Sequence, residues 1–181
     1  MPVGETFPCM FGEPLVEAGV ATLQAILSDL GMLRGPFNFD LMYTEAGDVF
    51  VIEIGPRNGG NRMPEAIRWS TGVDTIAATV ESALGRPVNL TRQSHRFCST
   101  YSIHAKCSGI LRAIEYAPVL DGRIVDEKLF VRPGDAVERF TMGSLMLGNL
   151  ILSFDTYPEM LSTIERMDDH VRIHLSHEAG A

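Results

Sequence analysis

Two stretches, Gly35-Pro-Phe-Asn-Phe-Asp40 and Val51-Ile-Glu-Ile-Gly-Pro-Arg-Asn-Gly-Gly60, decide how the rest of the sequence is read. Over residues 37–43, Phe37, Phe39 and Leu41 alternate with Asn38, Asp40 and Met42. That period of two is the signature of a β-strand with one covered face. Thr44-Glu-Ala-Gly-Asp48 reads as a turn around Gly47, and residues 49–54 read as a second apolar strand. The pair predicts an antiparallel hairpin that brings Asp40 near Glu53. The segment after it, Gly55-Pro-Arg-Asn-Gly-Gly-Asn61, is too rich in glycine and proline for helix or strand and is expected to be a loop.

This surface gathers two carboxylates (Asp40, Glu53), one arginine (Arg57), two carboxamides (Asn58, Asn61) and several small backbone residues. Carboxylate oxygens suit magnesium, which keeps several waters and is shared between a few carboxylates and nucleotide phosphates. A guanidinium offers a planar fork to a phosphate or carboxylate, and Gly55, Gly59 and Gly60 let backbone N–H groups approach an anion. Each part also has a plainer reading. Glu53, inside an otherwise apolar strand, must be paired, exposed on a solvated face or bound to metal. Asp40 has the same alternatives, Arg57 can be a surface ion-pair partner, and the glycines can mark only a tight turn.

Working outward, residues 13–31 carry Val16, Val20, Leu23, Ile26, Leu27 and Leu30 at helical spacing, with Gly31 as a stop. This helix is expected to cover the hairpin. Helical patterns resume over 63–69 and 74–84, the second ending at Gly85 with Pro87 beyond it. Residues 87–96 are polar and aperiodic and are expected to be a linker. Short strands are expected near 99–105, 109–116, 124–131 and 145–154, then a helix opened by Tyr157-Pro-Glu and running to about residue 168, then an apolar segment over 171–175. Two units follow, 1–90 and 97–181, of α+β class.

Composition limits the partners. The chain has 181 residues, 45% of them hydrophobic, which is enough for one generous domain or two small ones. A formal charge of −8 without a Lys/Arg cluster argues against a nucleic-acid surface, because phosphate-backbone binding needs clustered cations. No apolar run approaches the roughly 20 residues a membrane helix needs. The opening Met1-Pro-Val-Gly-Glu5 has neither the basic nor the apolar region of a secretion signal, so a cytoplasmic protein without membrane contact is expected. Cys9, Cys98 and Cys107 fit no zinc or CxxC spacing and read as free thiols of a reducing compartment.

The order of these parts, from residue 35 through Val51-Ile-Glu-Ile-Gly-Pro-Arg-Asn-Gly-Gly60 to Thr71-Gly-Val-Asp74 and a helix ending in Ala-Leu-Gly85, closely resembles the carboxyl-terminal subdomain of the ATP-grasp superfamily. Residues 97–181 resemble the small α+β cap that follows this subdomain in carbamoyl-phosphate-synthase-like and amino-acid-ligase-like members. The resemblance implies an antiparallel sheet with helices, in which Asp40 and Glu53 hold magnesium (or manganese) against the triphosphate of ATP. It implies that Arg57 contacts the transferred phosphate, with Asn38, Asn58, Gly59, Gly60 and Asn61 lining the nucleotide site. In the family wording Glu-x-Asn-Pro-Arg the Asn is a further metal ligand; here that position is Gly55, and Asn58 or Asn61 is the candidate replacement.

The activity implied is ATP-dependent joining of a small carboxylate to an amine through an acyl phosphate. In the family an upstream subdomain supplies the adenine pocket, a lysine and a glycine-rich lid. The 181 residues are therefore expected to need a missing amino-terminal half or a split-gene partner and to be inactive alone. The other reading is a non-catalytic half-domain that acts as a protein-interaction module. Association into a homo-oligomer stays open.

Overall fold

The computed structural model describes residues 3–32 and 34–176, so Met1, Pro2 and 177–181, at the outer ends of the two expected units, lie outside the described residues. The first half of the chain is helix, hairpin, helix, helix. Helix α1, Glu13–Asp29, starts with Pro14 in its first turn, where the missing N–H costs nothing, and stops before Gly31, whose φ is +67°. It lies on the hairpin formed by β2, Asn38–Tyr43, and β3, Val49–Gly55. The closest approach is at buried Gly19, because a Cβ there would run into Tyr43 and Leu41 on the covered face of β2.

Register within the hairpin follows from that covered face. Leu41 opposes Val51 and Phe39 opposes Ile54, so Ile52 is an extra residue on β3 and forms a bulge. Without the bulge, the alternation that puts Val49 and Val51 inward would also aim Glu53 inward and Ile54 outward. The bulge instead returns Ile54 to the half-buried face and leaves Ile52 60% exposed. Helices α2, Met63–Thr71, and α3, Thr75–Ala83, follow, the latter capped by Asp74, whose side chain accepts from the Ala77 N–H.

The second half holds most of the core. A four-stranded antiparallel sheet runs β1 (Thr6–Phe7), β4 (Phe97–Ile103), β8 (Gly148–Phe154), β6 (Ile124–Leu129). A three-stranded sheet runs β7 (Ala136–Val137), β5 (Gly109–Tyr116), β9 (Val171–Ser176). Tyr101, Ile103, Leu111, Leu120, Leu150, Leu152 and Phe154 form one buried cluster with Met160 of α4, Tyr157–Ile164, and Met167 of α5, Met167–His170. Fully burying each large aliphatic side chain contributes about 1.5–3 kcal/mol, so this cluster, rather than the thin hairpin layer, anchors the fold.

Three features differ from the sequence expectations. Strand β1 pairs Thr6 with Ser99 and Phe7 with Cys98, so the first residues join the sheet of the second half and cross the division expected at 90–97. The single helix expected from 157 to 168 is two helices, since α4 ends at Ile164 with Glu165 as its cap and Arg166 has a non-helical φ of −119°. The segment expected as a linker is irregular, yet its end is fastened: Gln93 and Ser94 N–H donate to the Thr71 carbonyl, and Arg96 N–H donates to that of Ser70.

Candidate functional site

Asp40 and Glu53 are direct cross-strand partners, so their carboxylates project from one face, and both residues are exposed. Neither forms an ion pair among the described residues. Like charges set opposite each other across a pair of strands repel, and no ion pair among the described residues offsets that. The donor set, two unpaired carboxylates on an open surface, fits a hard dication that takes its remaining oxygens from water and phosphate. Among the described residues no group of three or more His, Cys, Asp or Glu side chains is arranged for a metal, so any ion here depends on ligands from outside the hairpin.

Two rungs along, on the same face, Asn38 opposes Gly55. Gly55 is buried, and the Arg57 side chain folds back over it, its Cγ, Nε and Cζ lying 3.6–3.7 Å from where a Cβ would stand. A side chain at 55 would therefore start in van der Waals contact with Arg57. The Arg57 Nη1 donates to the Asn58 carbonyl at 2.9 Å and leaves the rest of the exposed guanidinium free of protein partners among the described residues.

The loop then turns under Asn38. A Cβ on Gly59 would stand 2.9 Å from the Asn38 Oδ1 and 2.7 Å from the Met63 Sδ, so any other residue here would push these two side-chain ends aside. Asn58 points the other way: its Nδ2 donates to the Thr79 Oγ1 at 2.8 Å and more weakly to the Thr75 carbonyl, fastening the loop to α3. Asn61 (φ 49°) and Arg62 (φ 65°) both adopt the left-handed conformation. Among the described residues, the backbone N–H groups of 58 through 62 have no hydrogen-bond acceptor. Successive free N–H groups in such a turn make a concave nest suited to an anion.

The structure thus brings Asn38, Asp40, Glu53, Arg57, Gly59, Gly60 and Asn61 to one end of the hairpin, and turns the amide nitrogen of Asn58 away. Sequence reasoning missed Arg62. Its Nη1 and Nη2 donate to the two carboxylate oxygens of Asp126 at 3.1 and 2.6 Å, and its Nε to Glu65 at 3.4 Å. The pairing with Asp126 raises the Arg62 guanidinium above its ordinary value and holds the Asp126 carboxyl below the usual carboxylate range. A signal existed: a cation at the start of a helix opposes the helix dipole and so needs a carboxylate partner.

Two concavities in the second half, of about 360 and 220 Å³, lie elsewhere; the first is lined by Leu111, Ile114, Tyr116 and Leu129, the second by Tyr101, His104, Lys106 and Asp168. The carboxylate pair sits instead on an open face, with exposed Met42, Phe50 and Ile52 beside it. No helix among the described residues is long and apolar enough to cross a membrane.

No protein-family model matches the chain. Over 137 residues it is 34% identical to the uncharacterized protein y4rH of Sinorhizobium fredii, an alignment covering 74% of this chain and 28% of that protein. Among solved structures it is similar to an L-amino acid ligase from Bacillus licheniformis, with 22% identity, TM-score 0.81, and 98% of this chain matched to 45% of that one. It is similar to phosphoribosylglycinamide synthetase from Anaerococcus prevotii, with 20% identity, TM-score 0.80, and 97% matched to 46%. The biotin carboxylase domain of Hydrogenobacter thermophilus 2-oxoglutarate carboxylase, solved with MgADP and bicarbonate, aligns at 12% identity and TM-score 0.70, covering 97% of this chain and 40% of that chain. The chain spans about a quarter of the relative's length and under half of each enzyme's. Its fold is part of the ATP-grasp fold that these ligases, synthetases and carboxylases share.

Proposed function

We propose that this chain is the metal- and phosphate-binding part of an ATP-dependent carboxylate–amine ligase working through an acyl phosphate. The observation that carries the reading is the rung Asp40–Glu53, two unpaired carboxylates set opposite each other beside a nest of free N–H groups. Asp40 and Glu53 would hold magnesium or manganese, which when bound neutralises triphosphate charge. Gly59, Gly60 and Asn61 offer N–H donors to phosphate oxygens, and Arg57 offers its free guanidinium edge to the phosphate in transit. The departure at Gly55 shifts the carboxamide one strand over, since Asn38 shares a rung with Gly55 and Asn58 spends its amide on Thr79.

In the reaction the substrate carboxylate attacks the γ-phosphorus of ATP and ADP departs. The amine then attacks the acyl carbon, and inorganic phosphate leaves with the former carboxylate oxygen. Such transfer depends mainly on positioning and charge neutralisation, which is what the loop and Arg57 supply. The similarity to an L-amino acid ligase favours a small carboxylate as substrate, and ATP and free thiols suit the cytoplasm. Residues 1–90 would form the catalytic unit and 97–181 the cap, with the adenine pocket and lid supplied from outside these residues.

The test is phosphate release from MgATP by the complete protein that carries this segment, compared with Asp40→Asn, Glu53→Gln and Arg57→Ala forms. Loss of turnover by at least a hundredfold in each is expected, and retained turnover in the Glu53→Gln protein overturns the assignment. A second reading, a non-catalytic interaction module, draws on exposed Met42, Phe50 and Ile52 around the acids. It predicts partner binding that is independent of magnesium and nucleotide.

A further inference from the structure

Two irregularities, one in each half of the chain, meet at a single ion pair. On one side, Asn61 and Arg62 hold consecutive left-handed φ angles directly after Gly60. Side chains other than glycine avoid that region, asparagine least, and a successive pair is held only where surroundings impose it. On the other side, the β6–β8 ladder slips between Ile124 and Asp126, so that Val125 is an extra residue. A bulge of this kind re-aims the neighbouring side chain, here Asp126 of β6. The two side chains meet in a two-pronged contact across 64 positions of sequence, with only 14% of the Arg62 side chain exposed.

We infer that Asp126 is a positioning residue, which through Arg62 clasps the 58–62 turn in the conformation that gathers its free N–H groups for an anion. Asp126 itself touches no phosphate; the second half of the chain sets the geometry of a site in the first half. The inference rests on the phosphate-binding reading above. Arg62 has the right chemistry for the task, because a planar fork against both oxygens of one carboxylate fixes direction as well as distance. Glu65 adds a weaker contact from the first turn of α2, so the arginine is held from both sides.

Removing the clasp has two opposed consequences. If it organises the turn, its loss lets Asn61 and Arg62 relax to ordinary φ and scatters the N–H groups. If it only neutralises Arg62, its loss frees a cation beside the turn and strengthens anion binding. The experiment is ¹⁵N NMR of the whole 181-residue chain, wild type and Asp126→Asn, titrated with inorganic triphosphate and magnesium. In wild type the Gly59, Gly60 and Asn61 amides are expected to shift on titration. In Asp126→Asn the apparent affinity should fall about tenfold, and the Asn61 and Arg62 backbone shifts should leave the left-handed range before any ligand is added. Adding Asn61→Gly to Asp126→Asn should recover most of the affinity, because glycine adopts the turn without a clasp. Equal or tighter binding by Asp126→Asn, or unchanged Asn61 and Arg62 shifts, overturns the inference. If wild type shows no triphosphate response, the phosphate reading fails, and the ligand-free shifts still decide the clasp. Should Asp126→Asn fail to fold, Asp126→Glu serves, since it keeps the charge but moves the carboxylate by one methylene. Wild-type shifts at Asn61 and Arg62 in that variant would equally refute the clasp.

Discussion

Replacing Glu53 by Gln removes one of two like charges that face each other across β2 and β3 while keeping shape and polarity. Directly opposed residues in an antiparallel pair have Cβ atoms about 5 Å apart. At that separation two unit charges repel by about 0.8 kcal/mol in a water-like dielectric, the appropriate limit for exposed side chains. Neither acid has a cationic partner among the described residues to offset this. Glu53→Gln should therefore stabilise the metal-free chain by roughly 0.5–0.8 kcal/mol, or about 1–3 °C in Tm for a chain of this size. The assay is thermal unfolding in chelator-treated, low-salt buffer of wild type, Asp40→Asn, Glu53→Gln and the double variant. The cycle should return a repulsive coupling that vanishes in 1 M salt, where the screening length falls to about 3 Å. Magnesium at ten times its dissociation constant should raise wild-type stability by about 1.4 kcal/mol and leave the Gln variant unmoved. A loss of more than about 0.5 kcal/mol in metal-free Glu53→Gln would refute the reasoning, because it would mean the acid has a stabilising partner.

Other expectations follow from the same geometry. ATP binding by the 181-residue chain alone should be no tighter than roughly millimolar, about 4 kcal/mol, because the adenine and lid contacts are assigned to other residues; low-micromolar affinity by calorimetry would contradict that division. Gly148→Ala should destabilise by about 3 kcal/mol in urea unfolding, since the new Cβ would stand 2.5 Å from the Lys128 backbone carbonyl, which cannot swing aside. Limited proteolysis should open the chain first within 86–92, because Gln93, Ser94 and Arg96 are tied to Ser70 and Thr71. Asp126 and Asp168 are both held below the usual carboxylate range, by Arg62 and by Lys106 respectively, so their contributions are present above about pH 4 and lost as pH falls below it. Asp126→Asn should flatten that acid limb in pH-dependent unfolding, whereas Asp168→Asn should matter less, its pair with Lys106 being largely solvent-screened.

How much of this could be read from residues alone depends on the range of the interaction that fixes each feature. The hairpin was legible because Phe39, Leu41 and Val51 repeat with period two on either side of a glycine turn, and the expected proximity of Asp40 and Glu53 became a cross-strand pair. The bulge at Ile52 was not, although Glu53 between Ile52 and Ile54 already conflicts with an unbroken alternation of inward Val49 and Val51. Two-residue strands such as β1 and β7 carry no period at all; only the partner strand makes them strands. The helix expected to run through Glu165 and Arg166 breaks at Arg166, although Met160 and Met167, two turns apart in sequence, both reach the buried cluster; the residue pattern that predicted one helix holds no mark of the break.

The site divides along the same line. Carboxylates, glycines and Arg57 announce themselves through residue type and order, since each supplies a chemistry that few other residues can. What orients them does not. That Arg57 lies over Gly55, that Asn58 binds Thr79, and that Arg62 reaches Asp126 are facts of packing between segments 2, 21 and 64 positions apart. An Arg at the head of a helix gave a hint that a carboxylate had to be found, but its identity depends on a slip in a ladder between β6 and β8. The groups that would touch phosphate were thus readable from a few dozen residues, while the device that aims them needs the whole chain folded.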